Sequence, residues 1–290
     1  AVFESGATTP AACSFARRLG FEGLLIGEAA AKDPENAGSL VSAFESARPD
    51  WAGHFWREIG QRIEQAREKG RPLVKICGLT NVDEALCAAR GGADLLGFIF
   101  AESPRKTDAQ TVRSIARKVL ETGYALPGKL PLLVGVVTET GSEAAQAAFS
   151  LVCEGVLDAI QYHGEDPARD LAHIDRAGGD YGIGKYTVVR LGSGADIDGI
   201  ERLLSNGEPR VLVDARVEGI AGGTGQTIPR NLVRKVCDRT GLWLAGGIGP
   251  ANIRRYLDEF SPELVDVSSG LESAPGKKDE TLIASFFREI

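Results

Sequence analysis

The chain has 290 residues, of which 43% are hydrophobic and 25% are charged, and its formal net charge is −7. This length suits one large α/β barrel with an additional piece, or two ordinary domains, and the composition is typical of a globular protein with a sizeable core. The negative net charge argues against a general nucleic-acid-binding protein, whose surface would carry a basic face. It still allows a small anionic substrate that is held by a local cluster of hydrogen-bond donors.

The cellular setting is indicated by what the sequence lacks. No apolar run approaches the ~18–20 residues that span a bilayer, and the N-terminus does not show the basic, apolar and small-residue succession of a signal peptide. The five cysteines are an odd number with no CxxC pair, which suits neither a disulfide framework nor a zinc site. We therefore expect the reducing cytoplasm, with no membrane, nucleic-acid or metal partner.

Residues 1–71 predict two short strands and three helices. Strands are predicted over residues 3–5 and 23–28, and helices after the Thr9-Pro10 start signal and over residues 34–45 and 51–69. Two β/α units are a quarter of a barrel and cannot close by themselves. We therefore expect residues 1–45 to dock onto the rest of the chain, to pair with another copy, or to be poorly ordered.

The third of these helices has an apolar face. Phe55, Ile59, Ile63 and Ala66 recur at helical spacing. Together with the neighbouring Trp56, they predict that this helix makes the contact between the N-terminal residues and the remainder of the chain.

From residue 73 onward, eight apolar runs alternate with helical patterns. The predicted strands cover residues 73–77, 94–100, 132–137, 157–163, 185–190, 210–215, 242–247 and 264–269. Such alternation implies βαβ units and a parallel sheet covered by helices, and eight units in ~220 residues match a small (β/α)8 TIM barrel. A doubly wound open sheet is the rival fold, but the turn after the first strand, residues 77–80, is not of the GxGxxG type.

Unusual residues fall at the carboxyl ends of these strands, where (β/α)8 enzymes have their active sites. Cys77 ends the first strand and Asp214 the sixth. Glycine-rich turns follow the sixth, seventh and eighth strands, at residues 221–225, 245–252 and 268–270. Backbone N–H groups of such turns can bind an anion, and loops after strands seven and eight are the usual phosphate site of this fold. The alternative is that these glycines only permit tight turns.

Cys77 and Asp214 suit proton transfer. A free thiol has a pKa of ~8.5 and needs only a modest depression to act as a base near neutrality. The other cysteines of the barrel, Cys87, Cys153 and Cys237, are interpreted as inert packing residues. Because strands one and six lie across the ring from each other, a base and an acid there could act on two separate atoms of one sugar.

Six segments follow one another as in the phosphoribosylanthranilate isomerase family, and this resemblance spans about residues 72–290. The segments are VKICGLTN, GADLLGFIF with SPR, IQYHGED, VLVDA with GGTG, LAGGIGPANI and DVSSGLESAPGKKD. The resemblance implies an Amadori rearrangement of a phosphorylated aminosugar, with Asp214 as the general acid and Cys77 as the general base. It implies no cofactor, because the substrate's own nitrogen drives ring opening. The protein is expected to be a monomer or a homodimer.

The resemblance also assigns substrate contacts. Arg105 would grip the anthranilate carboxylate, and a solvated loop arginine is the alternative. His163 would line the anthranilate pocket or make only structural hydrogen bonds. The remaining residues expected at the substrate are Gly222, Gly223, Gly246, Gly247, Asp266, Ser268, Ser269 and Gly270.

Residues 1–45 resemble the last quarter of the indole-3-glycerol-phosphate synthase family. VFESGATTP and GFEGLLIGEAAAKDP are similar to that family's seventh and eighth strand ends, although the agreement ends after GLLIGE. The strands that carry that family's catalytic residues are absent, so no such activity is expected. The resemblance divides the chain into a partial synthase-like segment (1–45), a linker helix (46–71) and an isomerase barrel (72–290), as in a fused bifunctional enzyme.

Two other functions fit the same pattern. One is a related histidine-pathway or dual-specificity phosphosugar isomerase, but those proteins place an aspartate where Cys77 stands. The other is a non-catalytic phosphate-binding barrel, which the presence of Cys77, Asp214 and Arg105 disfavours.

One contact follows from strand geometry alone. Lys75 lies two residues before Cys77 and should point into the barrel, where a buried ammonium needs a partner. Strand eight neighbours strand one in a closed ring, and Asp266 lies on its inward face. The sequence therefore predicts a Lys75–Asp266 contact at the seam.

Overall fold

The computed structural model describes residues 1–4, 6–123, 129–215 and 228–290, and within them eight parallel strands form one closed barrel. The barrel strands are β3 (Leu73–Cys77), β4 (Leu95–Ile99), β5 (Leu132–Val137), β6 (Ala159–Tyr162), β7 (Lys185–Leu191), β8 (Val211–Ala215), β9 (Trp243–Leu244) and β10 (Leu264–Val267). They follow one another around the ring, and β10 closes it by pairing with β3. The (β/α)8 prediction is confirmed.

Among the described residues, four short strands lie outside the barrel. Strand β1 (Val2–Phe3) pairs in parallel with β2 (Gly23–Leu24), and β11 (Glu272–Ala274) forms a hairpin with β12 (Lys277–Lys278). The helices are α1 (Pro10–Arg18), α2 (Gly27–Lys32), α3 (Pro34–Ser46), α4 (Trp51–Glu68), α5 (Val82–Gly91), α6 (Ala109–Glu121), α7 (Glu143–Cys153), α8 (Pro167–Gly178), α9 (Gly194–Ser205), α10 (Arg230–Cys237), α11 (Ile253–Phe260) and α12 (Glu280–Arg288). In the described residues, no helix is long and apolar enough to cross a membrane.

Side-chain caps set several of the helix starts. The Asn81 side chain accepts a hydrogen bond from the Glu84 N–H, and Asp108 accepts one from the Thr111 N–H. Each satisfies a donor that the first helical turn leaves without an intrahelical partner. These caps therefore fix where α5 and α6 begin, after the loops that follow the carboxyl ends of β3 and β4.

Two strands contain only two residues each where six were predicted. Strand β9 ends at Leu244 because Gly246 and Gly247 have φ angles of +89° and +63°, which are incompatible with the ladder. The run at residues 23–28 is a strand only over Gly23–Leu24, and the alanine-rich stretch after it forms α2 instead.

Helix α4 closes the amino-terminal end of the barrel. Phe55 and Ile59 are each 1% exposed, and with Trp56 and Ile63 they pack on the strand starts. The aromatic contacts include Trp56 stacked on Trp243, with ring centroids 5.7 Å apart. The predicted contact is confirmed, and α4 is the floor beneath the barrel interior.

The N-terminal residues dock onto α4. The Arg18 guanidinium pairs with Asp50 at 2.7 Å, just before α4 begins. A Cβ at Gly53 would lie 1.9 Å from the Arg18 carbonyl oxygen, so only glycine permits this approach of α1 to α4. Of the three outcomes expected for residues 1–45, docking onto the barrel unit is the one observed.

Candidate active site

A cavity opens at the carboxyl ends of the barrel strands. The residues that line it come from seven of the eight barrel strands, all except β7, or from the loops after them: Cys77, Ile99, Ala101, Glu102, Ser103, Arg105, Val136, Thr138, Gln161, His163, Leu212, Asp214, Ala245, Gly246, Gly247, Ile248, Asp266, Ser268 and Ser269. Nine residues expected at the substrate are among them. Asp214 and Cys77 lie on β8 and β3, which are separated by three steps around the ring in one direction and five in the other.

Cys77 ends β3 and is 6% exposed. Its sulfur and the Lys75 ammonium converge over Gly97: a Cβ there would lie 2.8 Å from Cys77 Sγ and 2.9 Å from Lys75 Nζ. Burial raises the pKa of the Cys77 thiol, and the positive charge of Lys75 opposes this increase without outweighing it. The thiolate that a base near neutrality requires is therefore disfavoured in the protein alone, because desolvation disfavours it more than the ammonium favours it.

The Lys75 ammonium binds Asp266, as predicted. Lys75 Nζ donates to Asp266 Oδ2 at 2.8 Å, and the two residues are direct partners in the β3–β10 register. Lys75 is fully buried; burial alone would lower its pKa, but the carboxylate of Asp266 raises it. The other carboxylate oxygen, Asp266 Oδ1, is buried and has no hydrogen-bond partner among the described residues, and Asp266 lines the cavity.

His163, which follows β6, lies close to Asp214 on β8. His163 Nε2 lies 3.6 Å from Asp214 Oδ2. Burial, reinforced by the positive charges of Arg190 and Lys75, lowers the pKa of His163 to about 3. The imidazole beside Asp214 is therefore neutral at physiological pH and adds no formal charge to the carboxyl group.

Arg105 forms a bidentate ion pair. Its Nε and Nη2 donate to the two carboxylate oxygens of Glu272 at 2.7 and 2.8 Å. Lys278 Nζ donates to the same carboxylate at 2.8 Å. Burial alone would raise the pKa of Glu272, but the hydrogen bonds from Arg105 and Lys278 lower it to about 2. Arg105 is thus fixed at the cavity wall rather than solvated.

The loops after β9 and β10 lie side by side. Gly249 N–H donates to Asn252 Oδ1 at 2.9 Å, and Asn252 Nδ2 donates to the Gly247 carbonyl at 2.8 Å. Gly270 does not line the cavity; a Cβ there would lie 2.0 Å from the carbonyl oxygen of Ile248, so this glycine permits the two loops to touch. Gly222 and Gly223 lie outside the described residues.

The backbone of the β9 loop is available to a ligand. Within the part of the chain that the structure describes, the N–H groups of Gly246, Gly247 and Ile248 donate to no acceptor. A ligand oxygen could therefore satisfy them. Across the same described ranges, no group of three or more His, Cys, Asp and Glu side chains could hold a metal ion.

One residue of the cavity wall and two residues behind it were not anticipated from the sequence. Gln161 points into the barrel and accepts a hydrogen bond from the buried Tyr186 hydroxyl at 2.9 Å. Its signal was a polar residue within the apolar β6 run. Gly78 has a φ of +81°, and a Cβ there would lie 2.6 Å from Arg105 Cδ. No local sequence pattern indicated that Glu272 would contact Arg105, because 167 positions separate the two residues along the chain.

An eight-stranded parallel barrel whose strand ends bring a thiol, a carboxyl group, an arginine and glycine-rich loops to one cavity defines a (β/α)8-barrel enzyme. The particular family follows from the sequence as a whole. The family model for N-(5′-phosphoribosyl)anthranilate isomerase matches residues 74–289, and the chain belongs to this family.

Individual relatives agree. The N-(5′-phosphoribosyl)anthranilate isomerase of Rubrobacter xylanophilus is 36% identical over 214 residues, which cover 73% of this chain and 96% of the relative. The crystal structure of phosphoribosyl anthranilate isomerase from Thermotoga maritima is 32% identical, with a TM-score of 0.60, and the match covers 75% of this chain and 98% of that one. A further isomerase structure, solved in complex with reduced 1-(o-carboxyphenylamino)-1-deoxyribulose 5-phosphate, is 31% identical with a TM-score of 0.57 and covers 75% of this chain and 97% of that one.

Proposed function

We propose that the protein isomerises N-(5′-phosphoribosyl)anthranilate to 1-(2-carboxyphenylamino)-1-deoxyribulose 5-phosphate, an Amadori rearrangement of tryptophan biosynthesis. The observation that carries this proposal is the family match over residues 74–289, together with the cavity that brings Cys77, Asp214 and Arg105 to one rim. The reaction needs an acid at the ring oxygen and a base at C2′, and these two side chains supply one of each.

Asp214 is the general acid. In its protonated form it donates a proton to the furanose ring oxygen while the anilino nitrogen lone pair expels that oxygen, which opens the ring to a cationic Schiff base. The His163 imidazole, whose Nε2 lies 3.6 Å from Asp214 Oδ2, is neutral and adds no charge beside the reacting carboxyl group. A positioned acid of this kind contributes typically ~10²–10⁴-fold to the rate.

Cys77 is the general base. Its thiolate removes the C2′ proton, and the electron pair of that C–H bond forms the double bond of an enolamine, which tautomerises to the ketone. Lys75 and Lys278 both favour the thiolate, although burial outweighs them in the protein alone. The cationic Schiff base adds a further positive charge next to the sulfur when proton removal is required.

The remaining cavity residues position the substrate. The β9 loop N–H groups and Ser268 and Ser269 suit the 5′-phosphate, because they are the loops after barrel strands seven and eight. Asp266 belongs to the cavity lining, and its buried Oδ1, which has no hydrogen-bond partner among the described residues, suits a sugar hydroxyl. Fixing the phosphate at a distance from the reacting atoms supplies binding energy that orients the sugar between acid and base.

The experiment is a turnover assay of the full chain with phosphoribosylanthranilate generated in situ, followed by the loss of its fluorescence. The histidine-pathway aminosugar phosphate is assayed in parallel. We expect turnover of the first compound only. Turnover of both would favour a dual-specificity isomerase, and turnover of neither would favour a non-catalytic phosphate-binding barrel.

The proposal extends to residues 1–45, which we interpret as a segment derived from an indole-3-glycerol-phosphate synthase barrel and joined to the isomerase by residues 46–71. The parallel β1–α1–β2 unit, docked on α4, is consistent with two consecutive strands of a larger barrel. An assay for indole-glycerol-phosphate formation should give no activity. Measurable formation would contradict this interpretation.

A further inference from the structure

We propose that Glu272 is a positioning residue that aims the free edge of the Arg105 guanidinium at the ring carboxylate of the substrate. This inference rests on the proposed function, because it concerns the carboxylate that distinguishes phosphoribosylanthranilate from other phosphorylated aminosugars. Glu272 does not line the cavity and acts through Arg105.

The geometry of the ion pair determines which donors remain. A guanidinium group has five N–H donors and can bind one carboxylate side-on, through Nε and one Nη, and a second carboxylate end-on, through both Nη atoms. Glu272 occupies the side-on edge of Arg105, through Nε and Nη2. In the described ranges, Arg105 Nη1 has no acceptor. The end-on edge is therefore available for a second carboxylate.

Glu272 is itself held rigidly. Its side chain is 4% exposed and accepts hydrogen bonds from Lys278 Nζ at 2.8 Å and from the Gly276 N–H at 3.3 Å. Lys278 Nζ also donates to the Ser268 carbonyl at 3.1 Å, which ties the β11–β12 hairpin to the end of β10. Because Glu272 cannot move independently of this hairpin, the orientation of Arg105 is fixed before a ligand arrives.

The stem of Arg105 is confined as well. A Cβ at Gly78 would lie only 2.6 Å from Arg105 Cδ, so the Arg105 side chain packs directly on the turn that follows Cys77. Confinement at both the stem and the side-on edge leaves the guanidinium little rotational freedom. A preorganised fork loses less entropy on binding a carboxylate than a flexible one.

The test measures affinity for two ligands by calorimetry. One is reduced 1-(o-carboxyphenylamino)-1-deoxyribulose 5-phosphate, and the other is the same compound without the ring carboxyl group. We expect Glu272→Gln to weaken binding of the first by at least ~10-fold, the size of a charge-assisted contact, and to change binding of the second by less than about twofold. A glutamine offers one acceptor where two are needed and turns an N–H toward the guanidinium.

Two controls isolate the mechanism. In the Arg105→Ala background, Glu272→Gln should have no further effect on either ligand, because the residue through which it acts is gone. Glu154→Gln removes the same side-on ion pair, to Arg113, on the barrel surface and should leave both affinities unchanged. Glu272→Asp, which withdraws the charge by one methylene, carries the same test if Glu272→Gln does not fold.

Different results would contradict the positioning role of Glu272 and the proposed carboxylate subsite. Equal weakening of both ligands by Glu272→Gln, or an effect that persists without Arg105, would overturn the positioning role while the wild-type protein still prefers the carboxylate ligand. A wild-type protein that does not distinguish the two ligands would overturn the proposed carboxylate subsite, and the inference with it.

Discussion

The Lys75–Asp266 pair offers a sharp test of the barrel interior. In Lys75→Met, the Asp266 carboxylate, which is 8% exposed, keeps its burial but loses its cation. Removing one partner of a buried ion pair typically costs ~3–5 kcal/mol, whereas a whole domain is stable by ~5–15 kcal/mol. With a urea m-value of ~3 kcal/mol/M, the unfolding midpoint should fall by about 1 M or more.

Urea unfolding of three variants measures this. Lys118→Met removes a surface pair to Glu121 whose side chains are about half exposed, and should change the unfolding free energy by less than ~1 kcal/mol. Lys75→Met/Asp266→Asn removes both buried charges and should recover more than half of the loss. A loss in Lys75→Met of less than ~1 kcal/mol would refute the reasoning, because the carboxylate would then not depend on its ammonium.

Three further predictions follow from the site and the floor of the barrel. NMR should show that His163 stays neutral at pH 5, because its pKa in the folded protein is about 3, below the ordinary 6.5. The unfolded chain therefore binds a proton at this histidine more readily, and the unfolding free energy should fall as pH falls from about 6.5 toward 3. A titration midpoint near 6.5 would contradict the burial of His163. Arg105→Ala should raise KM for phosphoribosylanthranilate more than it lowers kcat, whereas unchanged kinetics would return it to a solvated loop residue. A chain of residues 48–290 should unfold at a higher temperature than one of residues 70–290, which lacks the α4 side chains worth ~1.5–3 kcal/mol each; equal melting temperatures would show that α4 adds little.

The barrel was predictable from the sequence because its signals are local. Each strand is a largely apolar run, since a parallel sheet is covered by helices on one side and by its own interior on the other. Cys77 and Asp214 could be placed at the same rim because every parallel strand ends there. Even the Lys75–Asp266 contact followed, because it requires only a two-residue period and a closed ring.

Features that depend on long-range packing could not be predicted. The pKa of Cys77 depends on how burial and the charge of Lys75 balance, which a sequence does not report. Glu272 approaches Arg105 only because the β11–β12 hairpin folds back over the end of β10, and nothing in the local pattern indicates that path. The docking of α1 on α4 likewise depends on a glycine, Gly53, whose purpose is visible only in three dimensions.

The central claim, that Asp214 and Cys77 are the acid and the base, is tested most directly by kcat for phosphoribosylanthranilate in Asp214→Asn and Cys77→Ser, with the affinity for reduced 1-(o-carboxyphenylamino)-1-deoxyribulose 5-phosphate measured alongside. We expect kcat to fall by at least ~10²-fold in each variant while the affinity is retained, because each role contributes that much to the rate. If both variants kept more than about a tenth of the wild-type turnover, the assignment of the acid and the base would be wrong.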